Sequence, residues 1–118
     1  MTNSATKYDL EERTLKFAML TRKFVRGLKL DLVNNEDAKQ LIRASGSVGA
    51  NYIEANEALG KKDLLMRMRI SRKESKEARY WLNLVQTSNE QEEKIRLKLI
   101  QESTELLRIF SSMISKLE

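Results

Sequence analysis

The chain has 118 residues, 41% of them hydrophobic and 33% charged, with a net charge of +5. That balance suits one domain around one core, argues against a disordered chain, and includes no apolar run near the ~20 residues a membrane span needs. The absence of proline and the presence of only four glycines oppose a turn-rich all-β fold, while the absence of histidine and cysteine removes the commonest general base, the commonest metal ligand and any disulfide.

Asp9, followed three residues later by Glu12, reads as the opening of a first helix, because acids and a capping pair favour a helix N-terminus. Phe17, Leu20, Phe24 and Leu28 recur at helical spacing, and Gly27 marks the end, giving a helix over about 9–27. Residues 28–34 form the connection. A second helix over about 35–59 opens at Asn34 or Asn35, with Glu36 and Asp37 in its first turn, and stops at Gly60. Its stripe is Leu41, Ser45, Val48, Tyr52, Ala55 and Leu59. Gly46 and Gly49 lie inside it, and each weakens a helix by about 1 kcal/mol relative to Ala. That cost points to a close helix–helix approach.

The third helix, about 62–87, carries Leu64, Met68, Ser71, Ser75, Ala78, Leu82 and Val85 on one face. Its small residues suggest that Ser45, Gly46, Gly49 and Ala55 face Ser71, Ser75 and Ala78. Ser88-Asn89-Glu90-Gln91 is a capping-box start for a fourth helix over about 89–117. Leu99, Leu106, Ile109 and Met113 form one stripe of that helix, and Leu107, Phe110, Ile114 and Leu117 form a second beside it. Short links between long helices make neighbours antiparallel. The expected fold is all-α, an antiparallel up-down-up-down four-helix bundle, with residues 1–118 as one domain.

Apolar residues exceed what one face per helix requires. Met66, Ile70, Trp81 and Leu84 form a second stripe on the third helix, and Ile42, Gly46, Gly49 and Ile53 form one on the second. Such surplus faces imply an oligomer interface or a broad monomer core. Tyr80 and Trp81 are residue types enriched at interfaces.

Charge is concentrated. Residues 61–79 hold eight Lys and Arg against three acids, an excess equal to the net charge of the whole chain. Lys61, Lys62, Arg67, Arg69, Arg72, Lys73 and Lys76 are therefore candidate phosphate contacts, joined by Arg22, Lys23 and Arg26 of the first helix. The alternative is a solvated face with internal pairs such as Lys73–Glu77. Glu54 and Glu57 near the end of the second helix are expected to pair with Lys73 and Arg79 of the third.

No enzymatic chemistry is legible. Gly46-Ser47-Val48-Gly49 lacks the strand, loop and lysine of a phosphate loop. Helical serines have no histidine base, and a di-iron bundle needs Glu-x-x-His motifs that this chain lacks. Neither a metal nor another cofactor is expected.

The stretch Ser45-Gly46-Ser47-Val48-Gly49-Ala50-Asn51-Tyr52-Ile53-Glu54-Ala55, then Lys62-Asp63, then Lys76-Glu77-Ala78-Arg79-Tyr80-Trp81-Leu82, resembles the bacterial family of 23S rRNA intervening-sequence proteins, or S23 family. Asp9-Leu10-Glu11-Glu12-Arg13-Thr14 resembles the family's opening. The resemblance implies a cytoplasmic four-helix bundle that assembles as a homopentamer around a central channel. A related branch, the accessory proteins of diversity-generating retroelements, is basic and pentameric and binds nucleic acid and a reverse transcriptase. The family name records a genomic location rather than an activity. Two functions follow as expectations: a non-enzymatic oligomer that binds RNA or DNA through basic surfaces, or a protein-interaction scaffold that recruits a nucleic-acid-processing partner.

Overall fold

The structure is a computed structural model that describes residues 2–118, with side chains described from Leu10 onward. Four helices follow one another: α1 (Thr2–Gly27), α2 (Leu32–Asn56), α3 (Lys61–Leu84) and α4 (Glu90–Leu117). Each packs on its chain neighbours, and α4 closes back on α1 in an antiparallel bundle 45 Å long. Among the described residues no helix is long and apolar enough to cross a membrane.

Several helix ends differ from expectation for local chemical reasons. The backbone is already helical at Thr2, so Asp9 lies within α1 rather than at its start; its side chain lies outside the described residues. α2 begins earlier than Asn34. Asp31 is its N-cap, with a carboxylate that accepts the Asn34 N–H at 2.8 Å. Asn34 is thereby free for another task. Only 3% exposed, it donates to the carbonyls of Lys29 and Gln86 and accepts the Gln86 N–H at 2.7 Å, tying the α1–α2 connection to the end of α3. α2 also ends early, at Asn56, and Gly60 serves as the N-cap of α3 rather than the stop of α2. The cap before α4 forms one residue later than the Ser88–Gln91 box expected: Asn89 is the N-cap and accepts the Glu92 N–H, and Glu92 rather than Gln91 reaches back to accept the Ser88 N–H, both at 2.8 Å.

The core runs through Phe17, Leu41, Val48, Tyr52, Leu82, Leu106 and Phe110, all essentially inaccessible to water. Between these lie buried hydroxyls. Thr14, Thr21 and Ser75 donate to their own helix carbonyls one turn back, which satisfies them without a partner helix. Ser71 instead donates across the interface to the carbonyl of Val48 at 2.9 Å. α2 and α3 therefore approach closely, as the small residues implied.

The glycines do something else. Gly46 and Gly49 face α1, not α3. A Cβ on Gly49 would sit 2.9 Å from Thr14 Oγ1, and one on Gly46 would sit 3.1 Å from the Arg22 guanidinium. The helical cost of these glycines is thus met at the α1–α2 contact, while serines and alanines serve α2–α3.

A side-chain cluster holds the α3–α4 corner. Glu93 accepts from Thr87 at 2.9 Å and from Arg96, and Arg96 also donates to the Leu82 carbonyl at 3.1 Å. The Arg96 guanidinium holds the Glu93 carboxyl down to about 2.

Gly49→Ala is expected to lower stability by ~1–2 kcal/mol despite the better helix propensity of Ala, because the Thr14 side chain cannot move off a packed helix. Gly27→Ala, where an added Cβ meets nothing, should be neutral or mildly stabilising. Urea denaturation of both variants checks the pair. A second test concerns pH. Because folding depresses the Glu93 carboxyl from 4.5 to about 2, its contribution is present above pH 4.5 and is lost as pH falls towards 2. Glu93→Gln should therefore lower the melting temperature at pH 7 and narrow its gap to the parent at pH 2.5.

Candidate nucleic-acid interface

The α2–α3 register decides what α3 shows to solvent. Val48 meets Ser71, Asn51 Oδ1 accepts from Arg67 at 3.0 Å, and Arg43 reaches both Glu74 at 3.4 Å and Glu77 at 2.9 Å. Both glutamates of mid-α3 are thus engaged by a cation from α2, and Glu74 is almost fully buried. This corrects the expected network. Glu54 lies about eight residues, or ~12 Å, along α2 from the level of Lys73. Arg79 turns the other way and donates to Thr104 Oγ1 of α4 at 3.2 Å. Glu57 serves as the C-cap of α2. Arg43, the cation that does the pairing, stands beside the small-residue motif but belongs to no apolar or basic run that would single it out.

With Glu74 and Glu77 engaged, cations dominate the outer face of α3, where Asp63 is the one other acid of the helix. Lys62, Arg69, Lys73, Lys76 and Tyr80 recur at helical spacing on that face, and all are exposed. The stripe is about 27 Å long at the helical rise. Lys62, Lys73 and Lys76 make no ion pair among the described residues, whereas Arg69 is paired with Glu118 at 2.7 Å. Arg67 is held by Asn51, and Arg72 is half-buried. Lys61 and Lys62 are exposed in the first turn of α3, where the helix dipole is positive and a lysine costs ~0.3–1 kcal/mol. Asp63 in the same turn offsets one of these two cations.

A shallow cavity of about 750 Å³ runs beside this stripe, with Met66 and Ile70 as its apolar wall and Lys62, Arg69 and Lys73 around it. Farther along, the 59% exposed Tyr80 stands edge-on to Trp81, ring centroids 5.1 Å apart. Trp81 packs partly into the core, and its indole N–H is buried without an acceptor.

The first-helix candidates scatter. Arg22 is half-buried and donates to the carbonyls of Ala18 and Ile42 over Gly46. Lys23 lines the opposite side of α1, facing α4, and Arg26 is exposed. None of these joins the α3 stripe.

The surplus apolar residues divide in the same way. Ile53 is exposed and joins Leu15 and Met19 of α1, each 60% exposed, around a groove of about 320 Å³ floored by Gly46, Gly49 and Ala50. Met66, Tyr80 and Leu84 are exposed on α3, whereas Ile70 and Trp81 are half-buried. The α1–α2 groove was missed in sequence because Leu15 and Met19 lie off the main stripe of α1.

The model of the 23S rRNA-intervening sequence protein family matches residues 7–112. The chain belongs to this family. Among solved structures, it is similar to a protein of unknown function from the S23 ribosomal protein family of Bacteroides thetaiotaomicron. The identity is 29% and the TM-score 0.73, over 92% of this chain and 97% of that one. No curated protein matches. The family thus carries the fold, and the basic stripe is a property of this chain's own residues.

The Tyr80–Trp81 pair separates a core role from a surface role. Trp81→Ala should cost ~3 kcal/mol in denaturant unfolding. Trp81→Phe, which removes the unpartnered N–H, and Tyr80→Ala should each stay within ~1 kcal/mol of the parent.

Proposed function

We propose that this protein is a non-enzymatic homo-oligomer of the cytoplasm that binds structured RNA or DNA through the cationic outer face of α3. The observation that carries the reading is the unpaired stripe of Lys62, Lys73 and Lys76 beside Arg69, left free because Arg43 engages Glu74 and Glu77. Lysines that hold no partner in the fold are available to phosphates, and their contacts release counterions. The bundle presents no groove-reading motif, so contacts are to backbone phosphate and sequence preference is weak. Tyr80, exposed at the end of the stripe, supplies a face on which an unpaired base stacks.

Assembly multiplies a modest patch. The α1–α2 groove, with Leu15, Met19 and Ile53 on its walls, is the surface we assign to contact between copies, and the family resemblance implies a pentamer. Fivefold repetition of a 27 Å stripe converts weak phosphate contacts into avidity.

Charge reversal tests the interface. Lys62→Glu, Lys73→Glu and Lys76→Glu together should reduce affinity for an RNA hairpin at least ~100-fold in low salt and lower the slope of log K against log salt by about 2–3, with the native mass unchanged. Equal affinity of parent and variant would refute the assignment and favour the scaffold reading. For the assembly, Leu15→Glu with Ile53→Glu should reduce the mass read by analytical ultracentrifugation to that of a monomer, with helical circular dichroism retained. An unchanged mass would remove the α1–α2 groove from the interface.

A further inference from the structure

Among the described residues the seam between α1 and α4 is the least closely packed of the bundle. At one end Arg13 forks onto Glu102 at 2.7 and 2.9 Å and reaches Glu105 at 2.7 Å, and this clamp is the only ion-pair link across the seam among the described residues. Beyond it lie two cavities of about 480 and 400 Å³. They share Leu20, Lys98 and Leu99, so they lie end to end along the seam as one trough with Leu20 and Lys98 at its middle. From Arg13 to Gly27 it runs ~21 Å along α1, or about four helical turns.

The trough has an apolar floor and cationic lips. Phe17, Phe24 and Leu99 line it from the core, while Leu20 and Ile95 stand exposed on its edges. Lys16 and Lys23 on α1 and Lys98 on α4 are exposed and make no ion pair among the described residues. Of the lining acids Glu102 is held by Arg13, which leaves Glu12 and Glu92 against the three lysines, an excess of one positive charge.

We propose that this trough docks an acidic amphipathic helix of a partner protein, laid between α1 and α4. A helix enters an apolar groove through anchors spaced three and four residues apart, and four turns of groove accept such a row. The lips select acidic flanks. Lys16 and Lys23 stand two turns apart on one lip and Lys98 faces them from the other, which matches carboxylates on both flanks of a helix. A fatty acid carries one anion at one end and would want its cations clustered there. A nucleic acid would leave the exposed Leu20 and Ile95 side chains unused. The chain's own exposed apolar faces offer no acidic excess for these lips: Lys62, Arg69 and Lys73 outnumber Asp63 on the α3 face, and Arg22 balances Glu11 in the α1–α2 groove.

The test selects helical peptides of 16 residues, randomised at anchor and flank positions, on the full-length protein. The expected winners carry Leu, Ile or Phe at three- and four-residue spacing with acidic flanks. They should bind at least ten-fold more weakly to Leu20→Gln with Ile95→Gln and to Lys16→Glu with Lys23→Glu and Lys98→Glu, both of which alter exposed side chains and should keep the parent circular dichroism. Four results would overturn the proposal: no enrichment, basic winners, equal affinity for parent and variants, or displacement of the winning peptide by oleate. A drop in native mass for either variant would do so as well, because it would give the trough to a second copy of this chain.

Discussion

The antiparallel register of α2 against α3 is the constraint on which the rest of the molecule depends. Ser71 on the Val48 carbonyl, Arg67 on Asn51, Arg43 on Glu74 and Glu77, and Asn34 on Gln86 all describe one alignment. Small side chains let these helices approach, and the hydroxyl of Ser71 converts that closeness into a hydrogen bond that only one register satisfies. Buried polar contacts of this kind select an arrangement more than they add net stability. A slide of one turn would strand Asn34, which has no water to fall back on.

The same register sorts the charges. Because Arg43 stands level with Glu74 and Glu77, these two glutamates are drawn to the α2 side and Lys73 and Lys76 are left outward, while Asp63 stays beside Lys62. A basic helix whose acids and lysines shared one face would pair internally and present little net field. Here the separation produces a cationic face beside an apolar wall, and the positive end of the helix dipole at Lys61 and Lys62 reinforces it. The apolar surplus is separated too: α1 and α2 share one groove, α3 bears a second wall, and the α1–α4 seam is a third surface with its own charge.

Much of the architecture could be read from residue spacing. The stripes, a polar cap before α4 and the antiparallel order are local or nearly local properties, and they hold in the structure except at Leu20, 43% exposed, at Leu59, fully exposed past the end of α2, and in the cap, which moves from Ser88 to Asn89. Helix ends were less legible, because Asp31 and Asn34 are both good caps and only the Gln86 backbone, 52 residues away, decides between them. Partner choice between helices was least legible. Gly46 and Gly49 signalled a close approach correctly, but spacing alone does not say whether α1 or α3 makes it. The expected pairing of Glu54 and Glu57 with Lys73 and Arg79 failed for the same reason, since it needed a register accurate to one turn. The basic residues of α3 were plain in the sequence; which of them remain unpaired was not.

We propose the outward lysine face of α3 as the place where nucleic acid meets the bundle. Ultraviolet crosslinking of the oligomer to an RNA hairpin, followed by mass spectrometry of the crosslinked peptides, tests it most directly. Adducts are expected on Tyr80 and on peptides spanning Lys62 to Lys76. Adducts confined to α1 or α4, with α3 unmarked, would contradict it.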